Sequence, residues 1–139
     1  MKRYIGKSRK ALALVPAILL LSALAPRLAL AQQSDSVYTA SDVSTLPRLV
    51  SMMATERLIR RSYPDPLKRA GISGNVQLEF VIDSQGKVDP SSIQVVMASV
   101  PALGEAAKAV ARALEFSPGK VNGTAVRTRV LLPLVYKAN

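Results

Sequence analysis

Apolar and polar residues alternate along this chain with two periods, and the predicted elements follow from which period holds where. The two-residue period is clearest near the C-terminus, over Thr124–Tyr136 (TAVRTRVLLPLVY). Val126, Thr128, Val130 and Leu132 fall on one face; Arg127 and Arg129 fall on the other. That alternation, rich in β-branched residues, predicts a half-buried strand. Pro133 interrupts it and places the strand at a sheet edge, because proline has no N–H to give a ladder. An open edge with a basic outer face has two readings. Its arginines and proline protect it from pairing, or another chain adds a strand there.

The same period recurs over Gly74–Asp83. Val76, Leu78, Phe80 and Ile82 share one face; Asn75, Gln77 and Glu79 share the other. Asp83-Ser84-Gln85-Gly86 reads as a turn, and Lys87–Ala98 as the returning strand of a hairpin, with Val88, Ile93, Val95 and Met97 as its apolar members. A calcium loop is a poor alternative for that turn, since the ligand-bearing positions are not filled.

Three- and four-residue spacing marks the helices. Pro101–Phe116 carries Leu103, Ala106, Ala107, Val110 and Leu114 as one stripe, with alanines that let the helix lie close on a sheet. Ser51 is placed to cap a helix running to about Arg61, with Met52, Met53, Leu58 and Ile59 as its apolar candidates. Arg57, Arg60 and Arg61 near its end suit the helix dipole. They read as a solvated helix end or as a docking patch for an acidic partner. Tyr63-Pro64-Asp65-Pro66 stops that helix and starts a short second one, capped by Gly71. Val121-Asn122-Gly123 is a tight turn into the last strand.

Three antiparallel strands alone would leave one apolar face bare. The expected fold is therefore α+β: a two-layer domain, with a three-stranded antiparallel sheet packed against one main helix and shorter N-terminal helices. The domain is expected over 51–139. Residues 32–50 (Gln32 to Val50) are mostly polar and aperiodic and read as a flexible arm, with a short extended piece at Leu46–Val50.

Composition changes the picture mainly at the N-terminus. Residues 1–31 hold a basic start, an apolar run from Ala11 to Ala25, and a small-x-small signal at Ala29-Leu30-Ala31. The run falls short of the roughly 20 residues of a membrane span. It reads as a cleaved secretory signal peptide, or as an uncleaved signal anchor that attaches the domain to the inner membrane. Either places the domain outside the cytoplasm. Six of the 19 Lys and Arg lie in this leader, so the remaining 13 bases face 9 acids, a net charge of +4 rather than +10. With few aromatics and export, this argues against a nucleic-acid partner. The chain has no cysteine and no histidine, which removes disulfides, thiolate chemistry and the usual general base. Asp83, Asp89, Glu79, Glu105 and Glu115 form no pair suited to acid–base work. No enzyme, metal site or cofactor is expected.

One series of residues is more specific than its parts. Tyr63-Pro64, Ala70-Gly71-Ile72 with Gly74, the VxLxFxID of 76–83, Gly86-Lys87-Val88, Leu103-x-x-Ala106-Ala107, Phe116-Ser117-Pro118 and Asn122-Gly123-x-x-Val126 follow in an order and spacing that resembles the C-terminal domain of TonB-family proteins. The resemblance runs from Tyr63 to Tyr136. It implies helices on a three-stranded sheet, and a periplasmic module that takes the N-terminal peptide of a TonB-dependent outer-membrane receptor as an added strand on its last strand. The implied binding residues here are Val126, Arg127, Thr128, Arg129, Val130, Leu131 and Leu132, with Tyr63 and Pro64 near the receptor-contacting region or simply packed on the sheet. Arg127 and Arg129 would then meet acidic groups of the receptor.

The departures are Leu114 where tryptophan is usual, Glu115 where a basic residue often follows, and Ala125 where proline is common. Only residues 32–62 separate the leader from Tyr63, too short, at about 3.3–3.6 Å per residue, to carry force between two membranes. A rival reading makes the chain a structural or assembly module of the cell envelope that forms a homodimer by strand exchange.

Overall fold

A computed structural model of the chain describes residues 36–138, and the leader expected over 1–31 lies outside them. In chain order the elements are β1 (Val37–Tyr38), β2 (Arg48–Leu49), α1 (Met52–Ser62), α2 (Asp65–Arg69), β3 (Gly74–Ile82), β4 (Gln94–Ala98), α3 (Pro101–Arg112), β5 (Phe116–Ser117), β6 (Gly119–Val121) and β7 (Thr124–Tyr136). The main sheet has the order β1-β7-β3-β4, and β6 pairs with the start of β7. β3 and β7 run antiparallel without a break in register from Gly74 opposite Tyr136 to Ile82 opposite Thr128. The three expected antiparallel strands are thus β4, β3 and β7. The fold is the α+β two-layer arrangement read from the sequence.

The alternation in β3 decides what is buried. Val76, Leu78, Phe80 and Ile82 are fully enclosed against Leu103, Ala107, Val110 and Ala111 of α3. The rings of Phe80 and Phe116 lie 5.9 Å apart, and those of Tyr63 and Tyr136 lie 5.4 Å apart. α1 begins where Ser51 Oγ accepts from the N–H of Ala54 at 3.2 Å. The hairpin turn needs Gly86, whose φ is +86° and whose missing Cβ would fall 1.8 Å from the carbonyl oxygen of Phe116. The last turn needs Asn122 (φ 48°) and Gly123 (φ 82°), a left-handed pair that suits the twist of a two-residue hairpin.

Several expectations are corrected. α3 ends at Arg112 rather than at Phe116. Phe116 leaves the helix because its N–H donates to the Gly86 carbonyl at 2.9 Å, and β5 pairs it with Leu49. The returning strand is broken by a 3-10 turn at Pro90–Ser92, where Asp89 accepts from the Ser91 N–H, and Met97 stays exposed. Met52 and Met53 are exposed too; the face α1 buries is formed by Thr55, Leu58 and Ile59. Pro133 does not interrupt β7, which keeps its alternation to the buried Leu134 and Tyr136. The described part of the expected flexible arm is tied down as β1, as β2 and by bonds to Lys120.

Candidate functional site

Which flank of β7 is open follows from the backbone bonds of β3. Val81 donates its N–H to Ser92 Oγ at 2.8 Å, and its carbonyl accepts from the Asp89 N–H at 2.9 Å. Asn75 likewise turns both groups toward Ser99, at 3.0 Å each. The odd-numbered residues of β3 therefore serve the β4 side. Backbone groups alternate sides along a strand, so the even-numbered residues serve β7. The register sets these against Thr128, Val130, Leu132, Leu134 and Tyr136. Consequently Leu131, Pro133 and Val135 turn their backbone groups away from β3. Pro133 is accommodated for this reason: its missing N–H would have faced outward, and the β3 ladder loses nothing.

That outward flank is the candidate site. Among the described residues, β1 covers it opposite Arg127 and Thr128, and no strand covers it from Val130 to Tyr136. The N–H groups of Leu131 and Val135, and the carbonyls of Leu131, Pro133 and Val135, are presented as an unpaired edge. The rim on the solvent face is apolar, since Leu131 is 51% exposed and Val135 is 55% exposed. Between α1 and the end of β7 lies a groove of about 280 Å³, lined by Ile59, Arg60, Tyr63, Val135 and Lys137 among others. The edge thus runs into a pocket at its C-terminal end.

The structure distributes the expected binding residues in three ways. Val126 lies in the β6 hairpin, opposite Gly119. Arg127 and Thr128 are flanked on their outer side by β1, and Thr128 is fully buried. Arg129, Val130, Leu131 and Leu132 lie beyond β1, with Val130 and Leu132 bonded toward β3. The two arginines do not reach into solvent unanswered. The Arg127 guanidinium donates to Asp89 Oδ2 at 3.0 Å, and that of Arg129 donates to Glu79 Oε1 at 2.9 Å. Asp89 is held below the usual carboxylate range first by the Ser91 hydroxyl, against the opposing effect of burial, with help from the Ser91 N–H and from Arg127. These pairs fasten β7 to its own neighbours.

Tyr63 is packed on the sheet. Its hydroxyl donates to the Ile72 carbonyl, and one side of it lines the groove. Pro64 starts α2, its carbonyl accepting from the N–H groups of Leu67 and Lys68. Tyr136 donates to or accepts from Ser62 Oγ at 3.2 Å, and burial raises its phenol above the usual range while that bond lowers it. Sequence reasoning missed β1 altogether, because a two-residue strand in a polar stretch carries no period. It also missed the groove, which is assembled from residues far apart in the chain. Pro133 was the available signal for the open flank.

Among the described residues no helix is long and apolar enough to cross a membrane, and no three acidic side chains gather as a metal site would require. The sequence profile of the Gram-negative bacterial TonB protein C-terminal family matches residues 59–138. The chain is similar to the NMR solution structure of the Helicobacter pylori TonB C-terminal domain, residues 194-285. Identity is 24% over 63% of this chain and 94% of that one, with a TM-score of 0.42. It is also similar to a longer form of that domain, residues 179-285, at 24% identity over 63% of this chain and 80% of that one, with a TM-score of 0.40. No curated protein sequence matches it.

Proposed function

We propose that this chain, which belongs to the Gram-negative bacterial TonB protein C-terminal family, is a periplasmic peptide-binding module that takes the N-terminal segment of a TonB-dependent outer-membrane receptor as an added strand on β7. The family is non-enzymatic. One observation carries the reading. From Val130 to Tyr136 the flank of β7 opposite β3 has no strand beside it among the described residues. In strand addition the main chain provides affinity and alternate side chains provide selectivity. Here the visitor's backbone would meet Leu131, Pro133 and Val135, its side chains would lie along the rim those residues form, and its far end would reach the groove beside Tyr63. Arg127 and Arg129 contribute by fixing the strand, through Asp89 and Glu79, rather than by offering free charge. The leader over 1–31 would deliver the domain to the periplasm, cut or retained as an anchor. With so short an arm the module would bind receptors without spanning to them on its own.

A pull-down with immobilised synthetic peptides from receptor N-termini tests this. The wild type should be retained. Leu131→Pro, which removes an N–H from the open flank alone, should lose most of that retention while staying folded. Retention of neither protein, or equal retention of both, would refute the proposal. A stable dimer by light scattering, with Leu131 and Val135 buried between copies, would instead support the envelope-assembly reading.

A further inference from the structure

β1 lies on the flank where the proposed partner would bind. It pairs parallel to β7, with Val37 opposite Arg127 and Tyr38 opposite Thr128. The sheet order puts it across β7 from β3. The segment that follows is built in two parts. Ser44 to Val50 is well fastened. The N–H groups of Ser44 and Thr45 donate to the Lys120 carbonyl at 2.8 and 3.1 Å, Lys120 returns a bond to the Thr45 carbonyl at 3.0 Å, and the Val50 N–H donates to the Glu115 carbonyl at 2.9 Å. Between this base and β1 stands a small turn. Asp42 Oδ2 accepts from the Thr39 N–H at 3.0 Å, and the Asp42 N–H donates to the Thr39 carbonyl at 3.1 Å. β1 itself is two residues long and Val37 is exposed.

This is a firm tether carrying a weak strand onto a binding edge. We infer that Val37–Tyr38 is an internal competitor: a latch that occupies the start of the edge and must leave before a partner strand can extend from Tyr136 back to Arg127. The inference rests on the strand-addition reading of β7 and adds its regulation. The tether holds the latch near the edge at an effective concentration on the order of millimolar. The pairing is short enough to yield to a strand that bonds along the whole open run. A latch closed in about 70–90% of molecules weakens apparent affinity about 3- to 10-fold, because only the open fraction competes for the partner over the full edge.

The test uses the full chain and fluorescein-labelled ten-residue peptides from receptor N-termini, read by fluorescence anisotropy. Val37→Pro/Tyr38→Pro takes from the latch its one N–H that faces β7, that of Tyr38, bends the segment with two fixed φ angles, and replaces no residue of the core. It should tighten binding about 3- to 10-fold, while amide exchange speeds up at Arg127 and stays slow across β3. A second variant works in the opposite sense. Val37→Cys/Arg127→Cys joins two positions that the register sets side by side, in a chain with no other cysteine. Its oxidised form should bind more weakly than its own reduced form. Equal affinities for wild type and the proline variant, or for the oxidised and reduced cysteine variant, would overturn the latch and leave the edge-binding reading intact. Peptides that bind none of these proteins would overturn both.

Discussion

Proline placed at two adjacent positions of β7 should have opposite consequences. Val130 faces Phe80 across the ladder, and Phe80 is fully buried. Val130→Pro removes a bond worth about 1 kcal/mol net and leaves the Phe80 carbonyl without a donor, a further cost of about 1–3 kcal/mol. The sum is about 3 kcal/mol. For a domain of this size each kcal/mol lowers the melting temperature by about 4–8 °C, so the shift should be about 12–24 °C. Leu131→Pro removes an N–H that faces the flank with no strand beside it among the described residues, from a residue whose side chain is 51% exposed. It repeats what Pro133 already does and should cost under about 1 kcal/mol. Thermal and urea unfolding followed by far-UV circular dichroism would measure both. If Leu131→Pro proved as damaging as Val130→Pro, the assignment of flanks would be wrong, and with it the location of the open edge.

Four further outcomes are expected. Gly86→Ala should destabilise by at least about 3 kcal/mol, since the turn holds φ at +86° and the added Cβ would meet the Phe116 carbonyl at 1.8 Å; urea midpoints would show it. Phe80→Ala should cost about 3–5 kcal/mol in the same assay, because the ring is enclosed between sheet and helix. Tyr136→Phe keeps the ring and loses only the bond to Ser62, so it should cost about 1 kcal/mol. For pH, the Asp89 carboxyl titrates lower in the folded chain than in the unfolded one. Its stabilisation is therefore complete above its unfolded value, about 4, and is lost as pH falls through the lowered folded value. Urea midpoints should fall with acid across that window, and Asp89→Asn should flatten part of the fall.

What could be read in the sequence divides by range. β3, β7 and the turns at Gly86 and Asn122-Gly123 were legible because period and turn chemistry are local properties. The family series from Tyr63 to Tyr136 lay in the same stretches. What escaped depends on distant partners. Phe116 carries the helical spacing, yet it is drawn out of α3 by Gly86, thirty residues earlier, and by Leu49. Arg127 and Arg129 look free along β7, but Asp89 and Glu79 answer them from β3 and the loop after it. Val37 and Tyr38 sit in a polar run with no period, and only the finished edge of β7 makes a strand of them. At the candidate site the strand itself was legible. Pro133 also marked it as a strand with an open edge, whereas the segment that partly covers that edge was not legible.

The most direct measurement is an amide titration by nuclear magnetic resonance, with receptor N-terminal peptides added to the isotopically labelled chain. The account predicts large shifts and slowed exchange at Leu131 and Val135, with little change in exchange at Val130 and Leu132, whose N–H groups already serve β3. Shifts confined to other surfaces, or none along β7 at saturating peptide, would contradict it.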